Sequence, residues 1–305
     1  MHTRTATDLT RRSSSIVHAL AAFACSAVVA CTVEPAAETR EAAEAESPYH
    51  ILVTNDDGIE SPGIQELAAE LGKVGEVTVV APCGERSGSS MSILLGQGIR
   101  LRDFPEGGEL AGQCVDATPA GAVLFAIDAL APESGFDVVV SGINRGANVG
   151  DVSHMSGTVG AAMMGAYHGV PSVAASLGDG SAGFEYAARV VARFVDGLRH
   201  RQPEPGVVYS INLPRGTEAD TRGVTARPMG GSYIRVEYEE IEGTEGARVF
   251  RPRFAASDPY PAGSDSEAYD GGLITITPLR FDWTDRPSLE ELEGWDLEGL
   301  ARDGG

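Results

Sequence analysis

From residue 50 onward the chain alternates short, nearly continuous apolar runs with stretches whose apolar residues recur every three or four positions. Ile51–Thr54, Val77–Ala81, Val138–Ser141, Ser172–Ser176 and Val207–Leu213 belong to the first kind and predict strands. Pro62–Lys73, Pro119–Leu130, Ser156–Tyr167 and Phe184–Leu198 belong to the second and predict helices; Pro62 sits near a first turn, where the missing N–H of proline costs little. Residues 184–198 place Ala, Val and Phe on one face and Arg on the other. Strands without a polar face, separated by helices, imply a doubly wound, mostly parallel α/β sheet covered on both sides.

After about residue 222 the pattern changes. Tyr233–Tyr238, Ala247–Phe250 and Leu273–Thr277 read as strands with no helix between them, joined by acidic and Gly-rich turns, and Ser288–Ala301 as a closing helix. Residues 49–222 therefore form the expected core, and residues 223–305 a β-rich, antiparallel C-terminal extension.

The N-terminus reads differently again. Arg4, Arg11 and Arg12 precede an apolar stretch of 15 residues, Ile16–Ala30, which is short for a membrane span and suited to a signal peptide. It ends in Val28-Val29-Ala30-Cys31, which resembles the lipobox of bacterial lipoproteins, where the cysteine is lipidated; the alternative is an ordinary signal peptide cleaved nearby. Either way the domain is expected to be exported, and in the first case tethered to the periplasmic face of a bacterial membrane through Cys31. Residues 32–48, rich in Ala, Glu, Pro and Thr, read as a flexible acidic linker.

Charge narrows the partners. The chain carries −21, and residues 1–31 hold three arginines and one aspartate, so the remainder stands at −23. Such a surface repels nucleic-acid backbones. Lys73 is the only lysine and no GxxxxGK[ST] occurs, which excludes a P-loop, so a phosphate must be captured locally by a metal ion or by backbone N–H groups. Outside the leader, Cys83 and Cys114 either close a disulfide, favoured by an oxidising compartment, or remain two thiols.

Three polar loops follow predicted strands: Asn55-Asp56-Asp57-Gly58, Pro82–Gly88 and Gly142–Asn148. Carboxyl ends of parallel strands are where open sheets bind ligands. Adjacent Asp56 and Asp57 repel each other unless a cation lies between them, and two carboxylates, a hydroxyl and an amide oxygen suit magnesium or manganese rather than zinc. The plain alternative is turn chemistry, since Asp-Gly is a common turn pair. Ser156-Gly157-Thr158 opens a helix and offers N–H groups and hydroxyls to a phosphate; ordinary N-capping is the alternative.

Several stretches resemble the SurE family, the survival-protein 5'/3'-nucleotidases: ILVTNDDGIESPGI (51–64), VVAPCGERSGSS (79–90), ATPAGAV (117–123), the long segment from VVSGINRGANVG to PSVAASL (139–177) and GSDSEAYDGGLITITPL (263–279). The resemblance implies a Rossmann-like core and a C-terminal extension that often exchanges between subunits, hence a homodimer or tetramer. It also implies hydrolysis of nucleoside monophosphates with one divalent cation per subunit. Carried over position by position, Asp56, Asp57, Ser87 and Asn144 become metal ligands, Asp56 and Asp57 the catalytic acids, and Asn148, Ser156, Gly157 and Thr158 the phosphate-binding residues. Cys83, Val152 and Gly121 stand where the family's pattern commonly has acids. His154 is either an acid for the leaving oxygen or a surface-loop histidine, and His168, at a helix end, is structural. The competing functions are a tethered nucleotide- or phosphate-binding protein without turnover, and a broader phosphatase or exopolyphosphatase.

Overall fold

Ile51, Leu52 and Val53 are fully buried, and this three-residue run sets the plan of the molecule. In the computed structural model, which describes residues 48–104, 112–178, 183–231, 234–243, 246–256 and 259–301, they form the middle of strand β1 (His50–Thr54). The leader with Cys31, and the linker through residue 47, lie outside the described residues.

In chain order the elements after β1 are α1 (Pro62–Leu71), β2 (Glu76–Pro82), β3 (Leu101–Phe104), β4 (Gly112–Val115), α2 (Pro119–Ala129), β5 (Val138–Arg145), α3 (Gly157–Tyr167), β6 (Ser172–Leu177), α4 (Phe184–Arg199) and β7 (Val207–Leu213). They continue with β8 (Val224–Ala226), β9 (Ile234–Ile241), β10 (Val249–Ala256), α5 (Asp265–Asp270), β11 (Ile274–Arg280) and α6 (Arg286–Leu292). Nine strands form one sheet in the order β3-β4-β2-β1-β5-β6-β7-β11-β8, in which the six strands β4, β2, β1, β5, β6 and β7 run parallel to one another and β3 and β11 pair antiparallel at the two ends of that run. Ile51 and Val53 pack with α1 and α4, whereas Leu52 packs with α2 and α3 on the other face. This is the doubly wound, Rossmann-like α/β architecture expected from unbroken apolar strands.

Chain direction across the sheet reverses at β1. From β1 the chain steps one way to β2, and it later returns to the other side of β1 with β5. The crevice beyond the carboxyl ends of β1 and β5 is therefore the switch point where such sheets bind ligands. Both loops that carry the acidic and amide residues open into it.

The C-terminal strands divide their allegiance. β11 pairs antiparallel with β7, Thr275 opposite Asn212, and β8 pairs with β11, so both extend the main sheet. β9 and β10 form a separate antiparallel hairpin with Val236 opposite Phe254 and Tyr238 opposite Pro252. Pro252 is tolerated because a two-stranded ribbon leaves one side of each strand without a ladder partner. One face of this hairpin is apolar and exposed at Val236, Tyr238, Phe250 and Phe254. The closing helix is shorter than its sequence suggests: α6 ends at Leu292, and a separate 3-10 turn covers Leu297–Ala301. Among the described residues no helix is long and apolar enough to cross a membrane.

Cys83 and Cys114 form a disulfide, with a Cα separation of 4.7 Å across 31 positions of chain. It joins the end of β2 to β4 and so anchors the start of the loop that carries Glu85–Ser90.

Candidate active site

The turn after β1 is built by Asn55. Its Nδ2 donates to the Gly58 carbonyl and to Ser61 Oγ, both at 2.8 Å, which closes the turn and leads into α1. Two backbone bonds draw the β2 loop against it: Ile59 N–H to the Pro82 carbonyl at 3.0 Å and Arg86 N–H to the Asp56 carbonyl at 2.7 Å. The β5 segment joins from the other side, where the Arg145 N–H donates to Asp57 Oδ2 at 3.0 Å. The three polar loops therefore meet at the switch point.

Asn144 reaches this place through an irregularity in β5. Pairing with β6 shifts register between Ser141 and Asn144, a bulge of the kind that re-aims side chains near functional sites. Gly142 is required there, with φ of 139° and only 2.4 Å between a would-be Cβ and the Ala175 carbonyl oxygen. Asn144 Nδ2 donates to the Gly146 carbonyl at 2.8 Å, which leaves its Oδ1 as an acceptor.

Asp56 is held by α3. Its carboxylate is 3% exposed and accepts the Thr158 hydroxyl at 2.5 Å and the Thr158 N–H, so it lies against the positive end of the helix. Gly157 makes this approach possible: a Cβ there would stand 2.8 Å from the Asp56 Cβ and 2.8 Å from Ser89 Oγ. Burial pushes the Asp56 carboxyl up to about 6, against the lowering effect of the Thr158 hydroxyl and with help from the neighbouring Asp57 charge. Asp57 is half-buried and is also raised, by burial first, while the Arg145 N–H opposes the shift.

The remaining candidates occupy distinct places. Thr158 is fully buried and turned onto Asp56, and Ser156 caps α3 by accepting the Val159 N–H at 3.1 Å. Asn148 is buried where its N–H donates to Asn212 Oδ1 at 2.7 Å and its Nδ2 to Ser176 Oγ at 2.8 Å, tying the β5 loop to β6 and β7. Ser87 is exposed and donates to Glu85 Oε1 at 3.2 Å; its loop, rather than its hydroxyl, is bonded to the acidic turn. His154 is exposed, and its ring lies 5.9 Å from that of Trp283 rather than on either acid. Three contributors escaped the sequence: Asn55 as the lock of the turn, Asn212 as the anchor of Asn148, and Thr158 as the partner of Asp56. The only sequence signal for the last is the Gly157/Gly160 spacing, which marks the helix face that other backbone approaches closely.

Comparison with known proteins puts this geometry in context. The family model described as "Survival protein SurE" matches residues 51–235. The chain is 36% identical over 247 residues to the 5'-nucleotidase SurE of Mannheimia succiniciproducens, covering 81% of this chain and 98% of that protein. The chain belongs to the SurE family. The 5'-nucleotidase SurE of Haemophilus influenzae is 37% identical over 247 residues, covering 80% of this chain and 96% of its own length. The crystal structure of the SurE protein from Aquifex aeolicus aligns with a TM-score of 0.70 at 27% identity, covering 83% of this chain and all of that one.

The SurE donor set fits a hard divalent cation on its chemistry. Among the described residues no three His, Cys, Asp or Glu side chains converge, so zinc- or iron-type cages are not formed. Asp56, Asp57 and Asn144 supply only oxygens, and burial has raised both carboxyls in a way a cation would reverse. The folded chain also holds the Asp56 proton more tightly than the unfolded chain does. From this group, metal-free stability falls as pH rises from about 4 through about 6. Asp56→Asn removes that loss. In the presence of chelator the variant is expected to exceed the parent in stability at about pH 7.5, by on the order of 1–3 kcal/mol, with the difference shrinking at about pH 4. Chemical denaturation at the two pH values measures this, and an equal difference at both contradicts the burial account.

Proposed function

We propose that this chain hydrolyses nucleoside monophosphates to nucleoside and inorganic phosphate, with one divalent cation per subunit held by Asp56, Asp57, Ser87 and Asn144. The observation that carries the reading is the paired acids at the end of β1, one buried on the α3 N-terminus and one bonded to the β5 backbone, at the sheet's switch point. The relatives named 5'-nucleotidase SurE supply the reaction class.

When bound, magnesium or manganese neutralises the acid pair, polarises the phosphoryl group and activates water. The chain's own residues do the rest. Asp56 or Asp57 orients the attacking water and takes up its proton as the new P–O bond forms, and the leaving nucleoside oxygen takes a proton from solvent as the ester P–O bond breaks. Thr158 keeps Asp56 in place with its hydroxyl and N–H. Gly157, the first residue of α3, offers its N–H to phosphoryl oxygens at the positive helix end, with Ser156 setting that first turn and Asn148 closing the opposite side.

Two further features belong to this reading. The leader and Cys31 support an exported, lipid-anchored protein on the periplasmic face, and the Cys83–Cys114 disulfide is of the kind that persists in oxidising compartments. The exposed apolar face of the β9–β10 hairpin supports assembly into a homodimer or tetramer, because an isolated two-stranded ribbon is marginal in water and gains from burying that face on a second copy.

The purified protein is expected to release phosphate from adenosine and guanosine monophosphates with manganese or magnesium and not with chelator, and Asp56→Ala is expected to lower kcat at least about a thousandfold while the circular dichroism spectrum is kept. Nucleotide binding without phosphate release would convert the protein into a capture module. Cys31→Ser is expected to move the protein from the membrane to the soluble fraction of cells, and retention in the membrane would remove the anchor. Replacing Tyr238 and Phe254 together by Ser is expected to lower the mass measured by light scattering to that of the monomer; an unchanged mass would place the interface elsewhere.

A further inference from the structure

A second concavity lies one helical turn from the residue that covers Asp56. Gly157 packs on Asp56 and Ser89, and Gly160, about 4.5 Å further along α3, packs on the Ser90 backbone. Ser90 and Gly160 form one wall of a cavity of about 240 Å³ whose remaining lining includes Met91, Met163, Leu279 and Trp283. The cavity and the acid pair therefore share the first turns of α3 and the loop after β2.

Its chemistry differs from that of the acid pair. The lining is mostly apolar and includes three methionines and a leucine, side chains that adapt to flat aromatic ligands. Arg280, the guanidinium in its wall, is paired with Glu204, so an extended polyanion finds no unpaired arginine there.

Trp283 is the unusual member. Its side chain is 65% exposed, so most of the ring has no protein partner beyond the perpendicular contact with His154. The turn that carries it is nevertheless locked. The Asp282 carboxylate accepts the Thr284 N–H at 3.0 Å, the Thr284 hydroxyl at 2.5 Å and an Arg286 N–H at 2.6 Å, while the Phe281 N–H donates to the Gly206 carbonyl at 3.0 Å. A large ring kept exposed on a fixed turn is preorganised for stacking.

We propose that this cavity holds the nucleoside part of the substrate, with the Trp283 indole as the stacking surface for the base and His154 at its edge. The proposal rests on the phosphomonoesterase reading for the phosphate, which would lie at the Gly157 end. It makes the base, and not only the phosphate ester, part of what is selected. It also disfavours polyphosphate as the substrate.

The test compares adenosine monophosphate with ribose 5-phosphate, which lacks the base, using the full chain. Stacking on an aromatic side chain is worth enough that Trp283→Ala should lower the ratio of kcat/KM for the nucleotide to that for the sugar phosphate by about tenfold or more. The change should lie mainly in KM, and Trp283→Phe should restore most of it. Adenosine, which has no phosphate, should quench the protein's tryptophan fluorescence, and Trp283→Ala should abolish saturable adenosine binding measured by calorimetry. An unchanged ratio with unchanged adenosine binding overturns the subsite and leaves the hydrolase reading intact. Trp283-dependent adenosine binding in a protein that hydrolyses neither ester leaves the subsite standing and overturns the hydrolase.

Discussion

A carboxylate buried against the first turn of a helix governs this molecule. Asp56 gives up water for one hydroxyl, the N–H groups around it and the positive end of α3, and those partners do not fully compensate it, as its raised proton affinity shows. Much of the surrounding construction keeps that group in place. Gly157 has no side chain because Asp56 fills the space, and Thr158 is buried because its hydroxyl and N–H are needed there. Asn55 and Arg86 fix the backbone on either side of the acid. A site of this kind stores unfavourable electrostatics until a cation and an anionic ester arrive together.

The sheet supplies the rigidity that such a site needs. β1 and β5 are buried on both faces, so their carboxyl ends cannot drift, and the acidic turn and the Asn144 bulge are carried on them. Asn148 extends the same frame outward by bonding to Ser176 and Asn212 at the ends of β6 and β7. Of the strands that follow residue 222, β8 and β11 strengthen the frame: β11 covers the edge of β7 and leads into the turn that presents Trp283.

Most of the core was legible in the chain because burial on both faces leaves unbroken apolar runs such as Ile51–Val53 and Val138–Val140. β3 and β4 were not, because short strands at a sheet edge, half-exposed as Leu101–Phe104 are, carry no such run. β5 runs four residues beyond its apolar stretch because a glycine-dependent bulge leaves no periodic trace. Proline at 252 disguised most of β10. At the site, the adjacent acids declared themselves by repulsion alone. The bond between Thr158 and Asp56 spans 102 positions, and no local pattern announces it. The approach of Trp283 to His154 is equally a product of the tertiary fold.

The Cys83–Cys114 bond encloses the segment that includes Ser87, Ser89, Ser90 and Met91, together with the exposed Leu94 and Leu95. Exposed loops of this sort are where proteases cut. A single cut anywhere between these two cysteines opens the backbone but leaves both new ends covalently attached, one through β2 and the other through β4. A clipped molecule would keep all of its pieces.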